Sequence, residues 1–341
     1  MKRILATMIA ASAGLSAAPL HAEDSLTYVS WGGNYQQAER DAFLDPIEDE
    51  LGITIREETY TGVHEVRAQV LSGAVTWDIV DLGGFECAQG QAEGLFEDLD
   101  WNVVSTEGLD ENAWSDTWVS ILYYSTVLAY NPEALEKAPT NFTDFWDVEN
   151  FPGRRALYNE APTMLEAALL ADGVPKDELY PLDIDRAFAK LEEIKPHIDA
   201  WWDSGAQSIQ LLADGEVDML PIWNGRIEVL KEEGFPVEIA WDQGTLSVSC
   251  VAIPKGAPNK DLAMKAINLM ISPEIQANLP QYINYGPANA LAFDTGKIAE
   301  DKVATSPSAP EHLKVQAVIS PSYWGERLTE LDERWDAFML K

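Results

Sequence analysis

Apolar positions along this chain follow two rhythms. Leu26–Ser30, Ile53–Ile55 and Trp77–Asp81 have the length and β-branched content of buried strands, whereas Tyr35–Glu50 and Val63–Ser72 repeat apolar residues at helical spacing. Trp31-Gly32-Gly33-Asn34 forms a turn between the first strand and first helix, and the third strand runs into Leu82-Gly83-Gly84. The alternation resumes later. Ala156–Tyr158 is a strand, and Thr163–Ala171, Arg186–Ile194 and Ser208–Ala213 are helices. Val217–Pro221 is a strand that passes through Trp223-Asn224-Gly225-Arg226 into a helix ending at Glu232. Strands alternating with helices predict an α/β chain whose sheets are covered on both faces.

The helix–strand pattern occurs in two blocks, so the chain is expected to form two α/β lobes. Two apolar extended stretches, Thr126–Tyr130 and Ser247–Ile253, flank the second block and are expected to carry the chain out of one lobe and back. That is a hinge with two crossing strands, and such clefts close by rotation about a few residues. The expected division is 23–129 with 249–293 in the first lobe and 130–248 with 294–341 in the second.

The amino end changes where the protein is expected to work. Met1-Lys2-Arg3, an apolar run from Ile4 to Leu20, and Leu20-His21-Ala22 have the layout of a secretory signal peptide over 1–22, cleaved after Ala22. The expectation is a monomer exported to the periplasm. Lys and Arg number 23 against 57 Asp and Glu, a net charge of −34, so nucleic acid is a poor partner. Most of that acid is surface charge, screened beyond about 8 Å in physiological salt, and only a few carboxylates can select a ligand. In an oxidising compartment the two cysteines, Cys87 and Cys250, allow one disulfide. The scattered histidines suggest neither a metal nor a cofactor site.

No nucleophile elbow, phosphate loop or zinc-helix motif is present, and neither Gly-Gly pair fits a dinucleotide fingerprint, so the chain is not expected to be an enzyme. The aromatics are more informative. Trp31, Tyr35 and Trp223 follow predicted strand ends, where open α/β sheets bind ligands. An aromatic face attracts a cation by roughly 0.5–2 kcal/mol, so several rings in one cleft point to a small organic cation held by cation–π contact.

Six segments then carry a specific resemblance: Tyr28-Val29-Ser30-Trp31, Trp77-Asp78-Ile79-Val80, Asp214-Gly215-Glu216-Val217-Asp218-Met219, Ile222-Trp223-Asn224-Gly225, Val251-Ala252-Ile253-Pro254-Lys255 and Ile283-Asn284-Tyr285-Gly286-Pro287. In this order the chain resembles the spermidine/putrescine-type periplasmic binding proteins of ABC importers. The resemblance implies a two-lobed, type II-like periplasmic binding fold and the importer's membrane subunits as partners. It also implies a cleft lined by Trp31, Tyr35, Trp223 and Tyr285, with Glu160 as an amine-binding acid. Thr163 and Ser249 occupy positions where that family carries further acids.

One retained acid matches one positive charge on the ligand. Arg226, just after the Trp223-Asn224-Gly225 turn, could hold a carboxylate bidentately. Ser204, which opens a helix directly after Trp201 and Trp202, could offer free N–H groups to an anion. With Tyr124 and Asn224 added to the expected cleft, the favoured ligand is a zwitterion, a betaine or a sulfonium such as dimethylsulfoniopropionate. A polyamine is the alternative. The adjacent Tyr123-Tyr124 pair raises a further option, ferric-ion binding.

Overall fold

The computed structural model describes residues 25–341; the expected leader at 1–22 lies outside the described residues. Strand β1 (Ser25–Ser30) pairs in parallel with β2 (Thr54–Thr59) and β3 (Ile79–Gly83). Between β1 and β2 runs one continuous helical stretch: α1 (Gly33–Glu39), a π-helical turn (Arg40–Leu44) and α2 (Asp45–Leu51). The spacing of apolar residues predicts the helix but not the π turn. Pro46 has no N–H for the ladder, and its ring crowds the preceding turn, so the loosened register precedes it. Helix α3 (Val63–Ser72) follows β2, and α4 (Gly84–Ala92) springs directly from β3.

Strand β4 (Trp118–Tyr130) leads through α5 (Phe142–Trp146) to the second block. There β5 (Ala156–Tyr158), α6 (Ala161–Ala171), α7 (Ile184–Ile194), β6 (Ala200–Trp202), α8 (Gly205–Ala213), β7 (Met219–Trp223) and α9 (Asn224–Glu232) alternate much as the sequence predicts. Strand β8 (Glu238–Ala252) returns, followed by α10 (Lys260–Met270) and α11 (Pro273–Gln276). After β9 (Gly286–Pro287), α12 (Glu300–Thr305), α13 (Pro310–Leu313) and β10 (Ala317–Val318), the chain ends in the long helix α14 (Pro321–Met339).

The main sheet runs β2-β1-β3-β8-β4-β7, with β5 and β6 forming a separate parallel pair. Strands β4 and β8 are far longer than the stretches expected to cross the hinge, and they lie side by side, antiparallel. Each serves two cores. Val119, Ile121 and Leu122 of β4, with Val251 of β8, pack with β1, α2 and α10. Val127, Leu128 and Ala129 of β4, with Ala240 of β8, pack with α6, α7 and α14. The β4–β8 ladder slips register between Ser120 and Leu122 and again between Thr126 and Leu128. The fold is therefore two-lobed, with the connecting strands paired to each other.

Cys87 of α4 and Cys250 of β8 form a disulfide, closing the possibility left open by the sequence. Helix α14 buries Trp324, Leu328, Leu331, Trp335 and Phe338 in the core shared with α6. Its Gly325 meets α4 so closely that a Cβ there would sit 2.5 Å from the Cβ of Ala88. One helix thus touches both lobes.

Candidate functional site

The carboxyl ends of β1, β3, β5 and β7 all open into one cavity of about 350 Å³ between the two cores. Trp31 comes from the end of β1, Phe85 and Glu86 from the start of α4, Tyr158 and Glu160 from the end of β5, and Trp223 and Arg226 from the end of β7. The long strands contribute Leu122, Tyr124 and Ser249, and Tyr285 stands just before β9. Strand-end placement of this kind is where α/β sheets leave backbone and side chains free to meet a ligand.

Among the described residues, three charged side chains line the cavity. Glu160 is the residue before α6, in extended conformation with no capping hydrogen bond, so its carboxylate is free to face the cleft. Burial raises its pKa to about 7, against the opposing pull of a hydrogen bond from Tyr158. Glu86 is likewise raised to about 7 by burial, although its oxygens accept from Val63 N (3.0 Å) and Gly83 N (3.3 Å). Arg226 is the third charged group. Its Nε is buried without a hydrogen-bond partner, and it lies against Gly205, where a Cβ would come within 2.6 Å of that nitrogen. An unsatisfied buried guanidinium N–H is costly, and a ligand carboxylate would satisfy it.

Beneath the wall formed by Tyr35 and Ser249 lies a second acid pair, fully buried. Tyr28 donates to Glu39 (2.6 Å), Ser30 lies between Glu39 (2.5 Å) and Asp81 (3.1 Å), and Ser249 donates to Asp81 (2.6 Å). Burial drives both acids upward, Asp81 to about 7. Tyr35 donates to Ser249 (3.3 Å), so the hydroxyls at this wall point their protons inward and leave lone pairs toward the cavity.

Thr163 also lines the cavity, with φ 78 and ψ −46 at the start of α6. For a β-branched residue this left-handed region costs about 1–3 kcal/mol and is characteristic of functional sites. Its backbone N–H donates to the buried carboxylate of Glu166 (2.9 Å).

The structure brings Trp31, Tyr35, Tyr124, Glu160, Trp223, Arg226, Ser249 and Tyr285 together at the cavity. It places three other expected residues elsewhere. Trp202 is fully buried, stacked on Tyr158 at 4.1 Å with its Nε1 donating to Pro221 O, so it supports the wall from behind. The Ser204 hydroxyl is used as the cap of α8, accepting from Gln207 N at 3.3 Å. Asn224 is buried, accepting from Ser125 N and donating to Asn284 O, and so ties β4 to the segment before Tyr285. The tyrosine pair divides because neighbouring strand residues face opposite ways: Tyr124 lines the cavity, whereas Tyr123 packs with Ala113, Leu246 and Val248. The two cannot grip one iron ion. Among the described residues there is no His, Cys, Asp and Glu cluster able to hold a metal.

Sequence reasoning overlooked Glu86, Phe85, Tyr158 and Thr61 as lining residues. The strand-end rule that found Trp31 and Trp223 applies equally to the Leu82-Gly83-Gly84 end, two residues from Glu86.

Known proteins share this fold. The chain is 36% identical to the gamma-aminobutyric acid-binding protein of Pseudomonas aeruginosa, covering 93% of this chain and 91% of that one. It is 25% identical to the spermidine/putrescine-binding periplasmic protein of Escherichia coli, covering 89% and 90%. An ABC transporter substrate-binding protein from Bradyrhizobium japonicum USDA 110 superposes with a TM-score of 0.89 at 46% identity, covering 92% of this chain and 99% of that one. These relatives are transport proteins rather than enzymes, and proteins of this kind bind small ligands for ABC membrane subunits. Residues 42–305 match the same group, and the chain belongs to the bacterial extracellular solute-binding protein family.

Proposed function

We propose that this protein captures a small ω-amino acid of the gamma-aminobutyrate (GABA) type in the periplasm, after cleavage of its leader, and delivers it to an ABC importer. The observation that carries this reading is the pairing of Arg226, whose buried Nε lacks a partner, with Glu160, an acid without a cation, in one cavity. Arg226 would take the carboxylate. Glu160, with Glu86 nearby, would take the ammonium, while Trp31, Trp223 and Tyr285 cover the methylene chain.

We keep a zwitterion, as expected from the sequence, and replace its head group. A betaine or sulfonium has no N–H to donate, so it would offer no hydrogen bond to the carboxylates of Glu160 and Glu86. Two of the relatives named above bind GABA or spermidine and putrescine, which supports a primary ammonium. A polyamine is the second reading. It is favoured by the presence of two cavity acids, Glu86 and Glu160, and opposed by Arg226.

Thermal melts of the mature protein with GABA, putrescine, spermidine, glycine betaine and dimethylsulfoniopropionate would decide between them. Ligand at 100 times its Kd adds about 2.7 kcal/mol of stability. GABA is expected to raise the Tm in wild type and not in Arg226→Met. A shift with polyamines alone, or one that survives loss of Arg226, rejects the amino-acid reading. Closing on the ligand would bend the protein along β4 and β8, between the residues of each strand that belong to different cores: Leu122 and Val127 in β4, Ala240 and Val251 in β8.

A further inference from the structure

Glu166 is fully buried in α6 and accepts three hydrogen bonds with no cation beside it. Its Oε2 accepts from the backbone N–H of Thr163 (2.9 Å), and its Oε1 accepts from Tyr180 OH (2.6 Å) and from the indole Nε1 of Trp324 (2.6 Å). Tyr180 in turn accepts from the backbone N–H of Ser320, at the start of α14 (3.0 Å). One carboxylate therefore joins the C-terminal helix to Thr163, which among the described residues is the one cavity-lining residue other than glycine with a positive φ.

We propose that Glu166 is the positioning residue of the ligand site: clamped by Trp324 and Tyr180, it holds Thr163 in its left-handed conformation so that this turn presents the correct wall to the ligand. A β-branched residue does not adopt φ 78 unaided, so something must hold it there. The partner chemistry makes Glu unusually hard to replace. The Thr163 amide and the Trp324 indole can only donate, so both carboxyl oxygens must accept. Glutamine has one oxygen and one amide nitrogen, and either orientation turns an N–H toward one of these donors. Tyr180 is different, because a hydroxyl can accept as well as donate.

That asymmetry supplies a test with a sign a purely structural role would not give. Glu166→Gln, Trp324→Phe and the double variant would be made in the full mature chain, and GABA affinity measured by calorimetry; this arm rests on the ligand class proposed above. Glu166→Gln is expected to weaken binding about tenfold, the loss that goes with one broken buried hydrogen bond. Trp324→Phe alone should weaken binding less than Glu166→Gln does, because Tyr180 still donates to the carboxylate and both oxygens still accept. In the double variant the glutamine oxygen is free to face Thr163 while its nitrogen faces Tyr180, and affinity should recover to within about threefold of Trp324→Phe. Losses that simply add, or a Glu166→Gln protein that binds normally, overturn the proposal. If Glu166→Gln does not fold, folding and binding by the double variant support it, and failure of both overturns it.

A ligand-independent arm separates this inference from the ligand reading. In crystal structures of the unliganded proteins, Thr163 should keep a positive φ in wild type and in the double variant, and relax to a negative φ in Glu166→Gln. A positive φ in all three overturns the proposal whatever the ligand. Wild-type protein that binds no ω-amino acid rejects the ligand class alone.

Discussion

Affinity for a cationic ligand should fall steeply below neutral pH, and Glu160 should be a principal cause. In the empty cleft, burial raises this carboxyl to about 7. Below that pH it carries a proton, which must leave when an ammonium takes its place. Each pH unit below 7 then weakens binding by up to tenfold, or about 1.4 kcal/mol. At pH 5.5 only roughly 3% of the carboxyl is ionised, so Kd should rise about thirtyfold, close to 2 kcal/mol. The carboxylate and ammonium of an ω-amino acid titrate outside this window. Calorimetric titration with GABA between pH 8 and 5.5, in two buffers of different ionisation enthalpy, reads both the affinity and the proton released. Glu160→Gln should bind more weakly at pH 8 and show a shallower slope, the remainder reflecting Glu86 and the Glu39–Asp81 pair, which are raised for the same reason. An affinity flat from pH 8 to 5.5, or a slope unchanged in Glu160→Gln, would refute the reasoning.

The unliganded protein should show the opposite trend in stability. Glu39, Asp81, Glu86 and Glu160 all have folded-state pKa values above their unfolded ones, so the native state holds extra protons and stability drops as pH rises from about 4 through 7. Melting should therefore occur at a higher temperature at pH 5.5 than at pH 8, and the reverse order counts against these buried acids. Trp223→Ala removes a ring set edge-on to Tyr158 (5.6 Å) and Trp202 (5.4 Å) at the cavity wall, and should cost at least about tenfold in ligand affinity. Replacing Cys87 and Cys250 with serine opens a loop 163 residues long and should cost about 2–5 kcal/mol in denaturant unfolding.

Much of the architecture was legible because strand and helix periods differ so plainly in this chain, and because Trp31 and Trp223 stand directly after strands. Boundaries were less so. Strands β4 and β8 extend well beyond the apolar stretches: Glu238–Ala240 pairs with Leu128–Tyr130, and the polar Asp242-Gln243-Gly244 that follows breaks the apolar run that would announce one long strand. Trp202 and Trp201 look alike in sequence, and only the stacking of Tyr158 decides that the ring of Trp202 is support rather than surface. Glu86 escaped notice for a different reason. An acid in the first turn of a helix is the ordinary signature of a cap, and Glu86 does serve as one while also facing the cavity. A residue with two duties reveals only the commoner one in sequence.

The pairing of β4 with β8 has a mechanical meaning. A receptor whose lobes were joined by separate loops could swivel in many directions, each connector moving independently. Here two of the crossing segments form a two-stranded ribbon, stiff along its ladder and interrupted where the register slips beside Ser120–Leu122 and Thr126–Leu128. A ribbon of that kind flexes and twists about its bulges and resists sliding or splaying. The motion between the lobes is thereby narrowed to something near a single hinge angle. The rings and charges on the two sides can then meet in only one alignment, so selectivity for the solute is partly a property of the hinge.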